Sequence, residues 1–197
     1  MARARHLFDR PVFQGALALA VLAAGVGLYL FQPWKAWQDE TVREEFPTAA
    51  STRVAQAPTD PSEPAAAAPA TPTAPAAPAK PQTLATGEFI SHEHGTSGTV
   101  KVLRLPDGSQ TMRLEGLDTS NGPDLHVWIT DAPVKEGRAG WGVFDDGEHR
   151  SLGKLKGNKG DQNYVLPSGI DLERFSSVTI WCDRFNVSFG AAELSRV

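Results

Sequence analysis

The C-terminal part of the chain is a series of short β-rich runs separated by turn residues, and no stretch of it has the apolar spacing of an amphipathic helix. The runs are GEFIS, GTVKVLRL, TMRLEGL, DLHVWIT, QNYVLP, SVTIWC and FNVSFG. Apolar and polar residues alternate in several of them, as expected for strands with one buried and one solvated face. Strands without covering helices must pack sheet on sheet. This predicts an all-β domain over residues 84–197, an antiparallel β-sandwich or flattened barrel of about seven to nine strands.

Side-chain parity in the last two runs places the only cysteine of the chain inside this domain. Val178, Ile180 and Cys182 lie on one face of their strand. We therefore expect Cys182 to point inward at the end of that strand. The apolar residues of the following run have the other parity, which requires a bulge or a tight turn between the two runs.

The N-terminal end of the chain has the pattern of a membrane anchor. Arg3, Arg5 and Arg10 precede an apolar run at residues 12–31, about the 20 residues that a helix needs to cross the hydrocarbon core. The run ends in large residues, whereas a signal-peptide cleavage site needs small ones, so an uncleaved span is favoured. We expect residues 1–11 in the cytoplasm, a transmembrane helix at 12–31, and a single-pass protein of the cell membrane with an extracytoplasmic C-terminal domain.

Residues 32–83 are expected to be a disordered, Pro/Ala-rich linker between this helix and the β-rich part. From about residue 48 the linker consists largely of Ala, Pro and Thr, with almost no large apolar side chain to bury. Such a segment should have much polyproline-II character and no packed contacts. As a stalk it could hold the domain up to roughly 100 Å from the membrane when fully extended.

Charge and motif content argue against several classes of function. The formal net charge is −4 and the basic residues are scattered singly, so nucleic acid is not an expected partner. The chain has no G-x-S-x-G sequence, and no Ser, His and acidic set stands out, so a stand-alone enzyme is not expected. Asp118, Asn121 and Asp124 could bind calcium, but Asx turns explain these residues more simply.

Cys182 is the candidate redox centre. Thiols outside the cytoplasm are normally paired or absent, yet a single cysteine excludes an intramolecular disulfide. Cys182 could be a redox thiol or a thiolate ligand to iron or copper, with Arg184 near enough to favour the thiolate. The alternative is a small hydrophobic residue of the core.

Histidines are the candidate ligands for a cofactor. His92 and His94 form a His-x-His pair, and His126 lies within a strand. Two histidines and one cysteine could bind copper, although no histidine or methionine follows Cys182 as in copper-thiolate electron carriers. Haem could use Cys182 or a histidine, and it would be noncovalent because the chain has no C-x-x-C-H motif. The cofactor therefore stays open among haem, a metal and none.

Four segments together resemble a known family. They are HGTSGTV at 94–100, LDTSNGPDLHVW at 117–128, LGKLKGNKGDQNYVLP at 152–167, and SSVTIWCDRFNVSFGAAEL at 176–194. In this order they are similar to the DM-thirteen domain, which is proposed to be an extracellular electron-transfer module and occurs in animals beside DOMON domains on cell-surface proteins. The resemblance covers about residues 84–197.

The resemblance implies a role for particular residues. The family's proposed function centres on one cysteine in a Trp-Cys strand, which is Cys182 here, as a bare thiol or as a ligand for a group such as haem. His94 and His126 fall inside the matching segments, so they are better candidates for cofactor binding than His92 or His149. The electron donor and acceptor are not implied.

Two functions are compatible with these observations. The first is a membrane-tethered redox module in which Cys182 exchanges electrons with an unidentified redox partner, directly or through a bound metal or haem. The second is a non-redox binding or adhesion module for a cell-surface ligand. In that case DTSNGPD and the long segment at 131–150 would form the recognition surface, and Cys182 would be part of the core.

Overall fold

The computed structural model describes residues 11–47 and 80–197. The expected cytoplasmic N-terminus up to residue 10 and most of the expected stalk, residues 48–79, lie outside the described residues. The apolar run forms helix α1, Pro11–Phe31, followed by a 3-10 helix at Pro33–Trp37. By length and composition α1 could cross a membrane. A signal sequence shares these properties, so α1 is compatible with a single-pass protein without establishing its topology.

The described strands form one ten-stranded sheet, which includes one strand from the range expected to be linker. Its strands are β1 (Thr41–Arg43), β2 (Gln82–Ser91), β3 (Ser97–Arg104), β4 (Gln110–Asp118), β5 (Leu125–Thr130), β6 (His149–Lys154), β7 (Lys159–Val165), β8 (Ser177–Cys182), β9 (Val187–Glu193) and β10 (Ser195–Arg196). Their order is β1-β7-β4-β3-β2-β9-β8-β5-β6, and β10 also pairs with β2. Among the described strands, all pairs are antiparallel except β1 with β7.

Strand β2 joins the two halves of this sheet. Its first part, from Gln82 to Glu88, pairs with β3, and its last residues, Phe89 to Ser91, pair with β9. The sheet curls at this point, so apolar side chains from β3 and β4 meet those from β5 and β8 in a common core. The members from these four strands are Val100, Val102, Met112, Leu114, Leu117, Leu125, Val127, Ile129, Val178, Ile180 and Cys182. The predicted all-β fold is confirmed as a flattened half-barrel.

The outer face of β5 and β8 is covered by the segment that connects β5 to β6. This segment contains a 3-10 helix at Gly137–Gly140 and, within the described chain, no strand around residues 141–144. Its Phe144 is completely buried and packs in a second cluster with Trp128 and Trp181. Every residue of β8 is therefore buried, because one face lies in the core and the other lies under this loop.

Strand β1 attaches the residues after α1 directly to the barrel. It runs parallel to β7, with Val42 opposite Gly160. A side chain on Gly160 would place its Cβ 2.0 Å from the carbonyl oxygen of Val42, and one on Gly157 would place it 2.4 Å from that of Glu40. Glycine is thus needed at both positions for β1 to approach β7.

The residues that follow β1 cover a face of β4 that alternation predicts to be solvated. Arg113 is only 5% exposed, and its Nη1 donates to the carbonyl oxygens of Glu44 and Glu45 at 3.1 and 3.2 Å. The Glu44 carboxylate accepts from the Asn163 backbone N–H at 2.7 Å and from Lys156 Nζ at 2.6 Å. These contacts extend the ordered barrel into the range expected to be linker.

Strand β1 lies within the range expected to be linker. Only residues 32–40 connect the end of α1 to β1, a span of at most about 36 Å even when fully extended. Residues 48–79 connect Pro47, which is buried, to the start of β2. The described part of the expected linker, residues 32–47, therefore includes a strand that pairs with the barrel. Sequence composition could not reveal this, because β1 is held by pairing to a strand more than a hundred residues away.

Candidate functional site

Cys182 is the last residue of β8 and points into the core, as its parity predicts. It shares the inner face with Val178 and Ile180, and its side chain is completely buried. The tight turn expected after it is present: residues 183–186 connect β8 to β9, with Asn186 at a positive φ of 54°. The turn residues are exposed, so the thiol lies beneath a solvated loop at one end of the barrel.

Burial determines the protonation state of this thiol. It raises the pKa of Cys182, because a thiolate would lose its hydration. Backbone hydrogen bonds from Phe185, Arg184 and Asp124 act in the opposite direction, and burial outweighs them. The thiolate is the nucleophilic and metal-binding form. In this conformation burial therefore favours the protonated thiol of Cys182.

His94 lies at the mouth of the barrel on the same side as the core. Its ring contacts that of Phe189 at a centroid distance of 4.0 Å, and its Nε2 is 2.5 Å from the carboxylate of Glu93. Phe189 belongs to the same core cluster as Cys182. Beside His94 is a largely apolar cavity of about 440 Å³, whose wall includes Phe31, Pro123, Phe185, Val187 and Phe189. Cys182 is not part of this wall, so a group bound at His94 would not reach the thiol here.

His126 lies on the opposite face of the sheet from Cys182. In the β5–β8 pairing Leu125 is opposite Cys182, and His126 is opposite Trp181. The side chains of Leu125 and Cys182 face the core, so those of His126 and Trp181 face outward. His126 Nε2 is 3.1 Å from Asp124 Oδ1 and 3.5 Å from Asp183 Oδ2. The structure thus brings the candidate histidines and Cys182 to one end of the barrel without placing them around one ligand.

His92, which the family resemblance ranks below His94, is the one buried histidine among the described residues. Its Nδ1 is 2.7 Å from Ser188 Oγ and its Nε2 is 3.1 Å from the Lys135 carbonyl oxygen. Ser188 Oγ is in turn 2.8 Å from Thr179 Oγ1. Burial lowers the pKa of His92, which favours the neutral ring. This polar chain ties the covering loop to β8 and β9, and only the polar residues inside these buried strands hint at it in the sequence.

An aromatic stack on the outer face was also missed by sequence reasoning. The His149 ring stacks on Trp128 at 4.0 Å, and Trp128 lies 4.9 Å from Trp181, which precedes Cys182. Phe144 meets Trp181 edge to face at 6.5 Å. These rings come from β5, β6, β8 and the covering loop, so their contact depends on strand order rather than on local sequence. The stack packs against the outer side of the strand that carries Cys182.

Fold and site together define a small β-barrel domain with one buried thiol at a strand end. The family model described as electron transfer DM13 matches residues 88–194. The chain therefore belongs to the DM13 family, and the match begins within β2 and ends after β9. No curated protein and no solved structure matches the chain.

Proposed function

We propose that this chain is a membrane-tethered, extracytoplasmic electron-transfer protein whose redox centre is Cys182. Cys182 works as a bare thiol or as a ligand to haem or a metal, and His94 and His126 are the candidate cofactor ligands. The observation that carries the proposal is the position of the only cysteine of this chain, a member of an electron-transfer family, at a strand end under an exposed turn. Electrons pass to a redox partner that remains to be identified.

A redox partner or cofactor needs access to the buried sulfur of Cys182. Residues 183–186 are exposed and connect two strands by a short turn, so their local opening costs less than unfolding of the barrel. Opening exposes the sulfur to a partner and lets the thiolate form. A haem or metal ligated by Cys182 would need the same opening, because the cavity at His94 does not extend to the thiol.

The second candidate is the non-redox binding module. The complete burial of Cys182 within the core favours it, because a buried cysteine with a raised pKa also serves as a small hydrophobic residue. In that case the apolar cavity at the barrel mouth and the loop over Trp181 are the natural contact surfaces. The two candidates differ in what happens when the thiol is removed.

Replacing Cys182 by alanine distinguishes the redox function from the binding function. If Cys182 is the redox centre, Cys182→Ala abolishes electron exchange with a one-electron dye such as ferricyanide, while far-ultraviolet circular dichroism shows that the barrel survives. The cost in stability is expected to be about 1–2 kcal/mol, since the truncated side chain is small. Cys182→Ser is the matched control for thiol chemistry at nearly constant volume. Electron exchange that is unchanged in both variants would eliminate the redox proposal and favour the binding module.

Membrane topology has its own test. With one tag before Met1 and another after Val197, external protease on intact cells is expected to remove the C-terminal tag and to spare the N-terminal tag, because the arginines before α1 stay inside. Permeabilised cells, in which both tags are cleaved, provide the control. A soluble mature protein that begins near residue 34 would show instead that α1 is a cleaved signal sequence.

A further inference from the structure

The end of the barrel that carries Cys182 has a second group of ligand atoms on its outer face. We infer that Asp124, His126 and Asp183 form a binding site for a divalent first-row transition-metal ion. One ring nitrogen and one oxygen from each carboxylate all lie within 4.8 Å of one another. The site takes one residue, His126, from the candidate cofactor ligands of the proposed function, and it goes beyond that function because it adds Asp124 and Asp183 and includes neither the thiol nor the cavity at His94.

Strand pairing explains why these three side chains converge. Asp124 immediately precedes β5 and Asp183 immediately follows β8, and the Asp183 backbone N–H donates to the Asp124 carbonyl oxygen at 3.0 Å. This bond continues the antiparallel ladder by one residue, so the two carboxylates point to the same face. His126 is two residues after Asp124 and therefore shares that face.

The distances suit a single ion. Ligand atoms that lie about 2.0–2.2 Å from a metal at the tetrahedral angle are about 3.3–3.6 Å apart. The two distances from His126 Nε2 are 3.1 Å to Asp124 and 3.5 Å to Asp183. Three ligands from the protein leave one position for water, as in open metal sites.

Hydrogen bonds alone do not explain why all three side chains converge. His126 Nε2 can carry one hydrogen, which can be directed well at one carboxylate oxygen only. Here two carboxylates from different strands approach the same nitrogen, and the oxygen of Asp183 stays at 3.5 Å, beyond a good hydrogen bond. An ion held between the three groups satisfies all of them at once.

Lys154 is the group that competes with a metal at this site. Its Nζ lies 3.1 Å from Asp124 Oδ1, the oxygen that also faces His126. The Lys154 side chain is 75% exposed, so it can turn into solvent when an ion binds. Lys154 therefore neutralises part of the negative charge in the absence of metal and should weaken metal affinity.

The ligand set indicates the class of ion. One imidazole and two carboxylates suit zinc, manganese, iron or copper, whereas calcium prefers oxygen ligands throughout. By the general order of affinities, copper(II) and zinc(II) should bind most tightly among these metals. Zinc(II) is the better probe, because it is redox-inactive and leaves the thiol unoxidised.

Calorimetric titration of the untagged full chain in detergent with zinc chloride tests the site. We expect one zinc ion to bind per chain, with affinity reduced at least about tenfold in Asp183→Asn, whose side chain is exposed and whose loss should not disturb the fold. Asp146→Asn, a change of the same kind in the exposed loop before β6, is the matched control and should bind zinc like the unchanged chain.

Two further variants distinguish a metal site from a salt-bridge cluster. Lys154→Met should tighten zinc binding severalfold because it removes a competitor, and Cys182→Ala should leave zinc binding unchanged because the thiol lies on the other face. Zinc affinity that is unaffected by Asp183→Asn, or that falls in Lys154→Met, would overturn the assignment. Loss of zinc binding in Cys182→Ala would overturn the ligand set, whatever the outcome for the redox proposal.

Discussion

The Trp181→Ala protein is expected to lose about 3–5 kcal/mol of unfolding free energy, among the largest effects of any single substitution in the barrel. Trp181 is completely buried and lies between Trp128 and Phe144, so alanine leaves a large cavity under the covering loop. Because β8 is buried on both faces, the barrel cannot collapse around that cavity without moving a central strand.

Urea unfolding followed by far-ultraviolet circular dichroism measures this effect without relying on tryptophan fluorescence. Trp181→Phe keeps an aromatic ring and should cost clearly less. Phe185→Ala is a control for loss of an aromatic side chain at the surface, since Phe185 is 49% exposed, and it should cost less than about 1 kcal/mol. A midpoint for Trp181→Ala close to that of the unchanged chain would contradict the packing described for the outer face.

The second large effect is expected from removal of the segment that contains β1. Two soluble chains allow a matched comparison: residues 38–197 with 50–79 deleted, and residues 80–197. They differ only in residues 38–49. The shorter chain should be less stable by about 3 kcal/mol, because the buried guanidinium of Arg113 loses two carbonyl acceptors and hydrogen bonds to charged groups contribute about 1.5–3 kcal/mol.

A second comparison measures what residues 50–79 contribute to stability. Residues 38–197 with and without that segment should melt within about a degree of each other, because its composition offers almost nothing to bury. Equal melting temperatures for the chains with and without residues 38–49 would mean that β1 contributes nothing to the barrel. A large loss on deleting 50–79 would mean that the Pro/Ala-rich segment packs on it.

The fold and the orientation of Cys182 could be predicted because both follow from local patterns. A period of two residues selects strands, and the absence of helical periodicity leaves the strands to pack on one another. The inward position of Cys182 follows from the parity that it shares with Val178 and Ile180. The turn after it follows from the change of parity in the next run.

The positions of the candidate site residues could be predicted only in part. His94, His126 and Cys182 do lie at the same end of the barrel, but the sheet separates His126 from the thiol. The sequence suggested, as a possible calcium site, Asp124 together with its sequence neighbours Asp118 and Asn121. In the folded chain Asp124 instead meets His126 and Asp183. A residue's neighbours across a sheet are set by which strands pair and in which register, and neither is encoded in the spacing of the ligands themselves.

By itself, the sequence determined the all-β class, an apolar N-terminal helix long enough to cross a membrane, and the burial of Cys182, because alternation, apolar length and parity are properties of neighbouring residues. Only the tertiary structure decided that β1 docks beside β7, that Phe144 and Trp181 close the outer face, and that Asp183 joins Asp124 and His126. Each of these depends on contacts between residues far apart in the chain. Such contacts depend on which strands pair and in which register, and neither can be read from neighbouring residues.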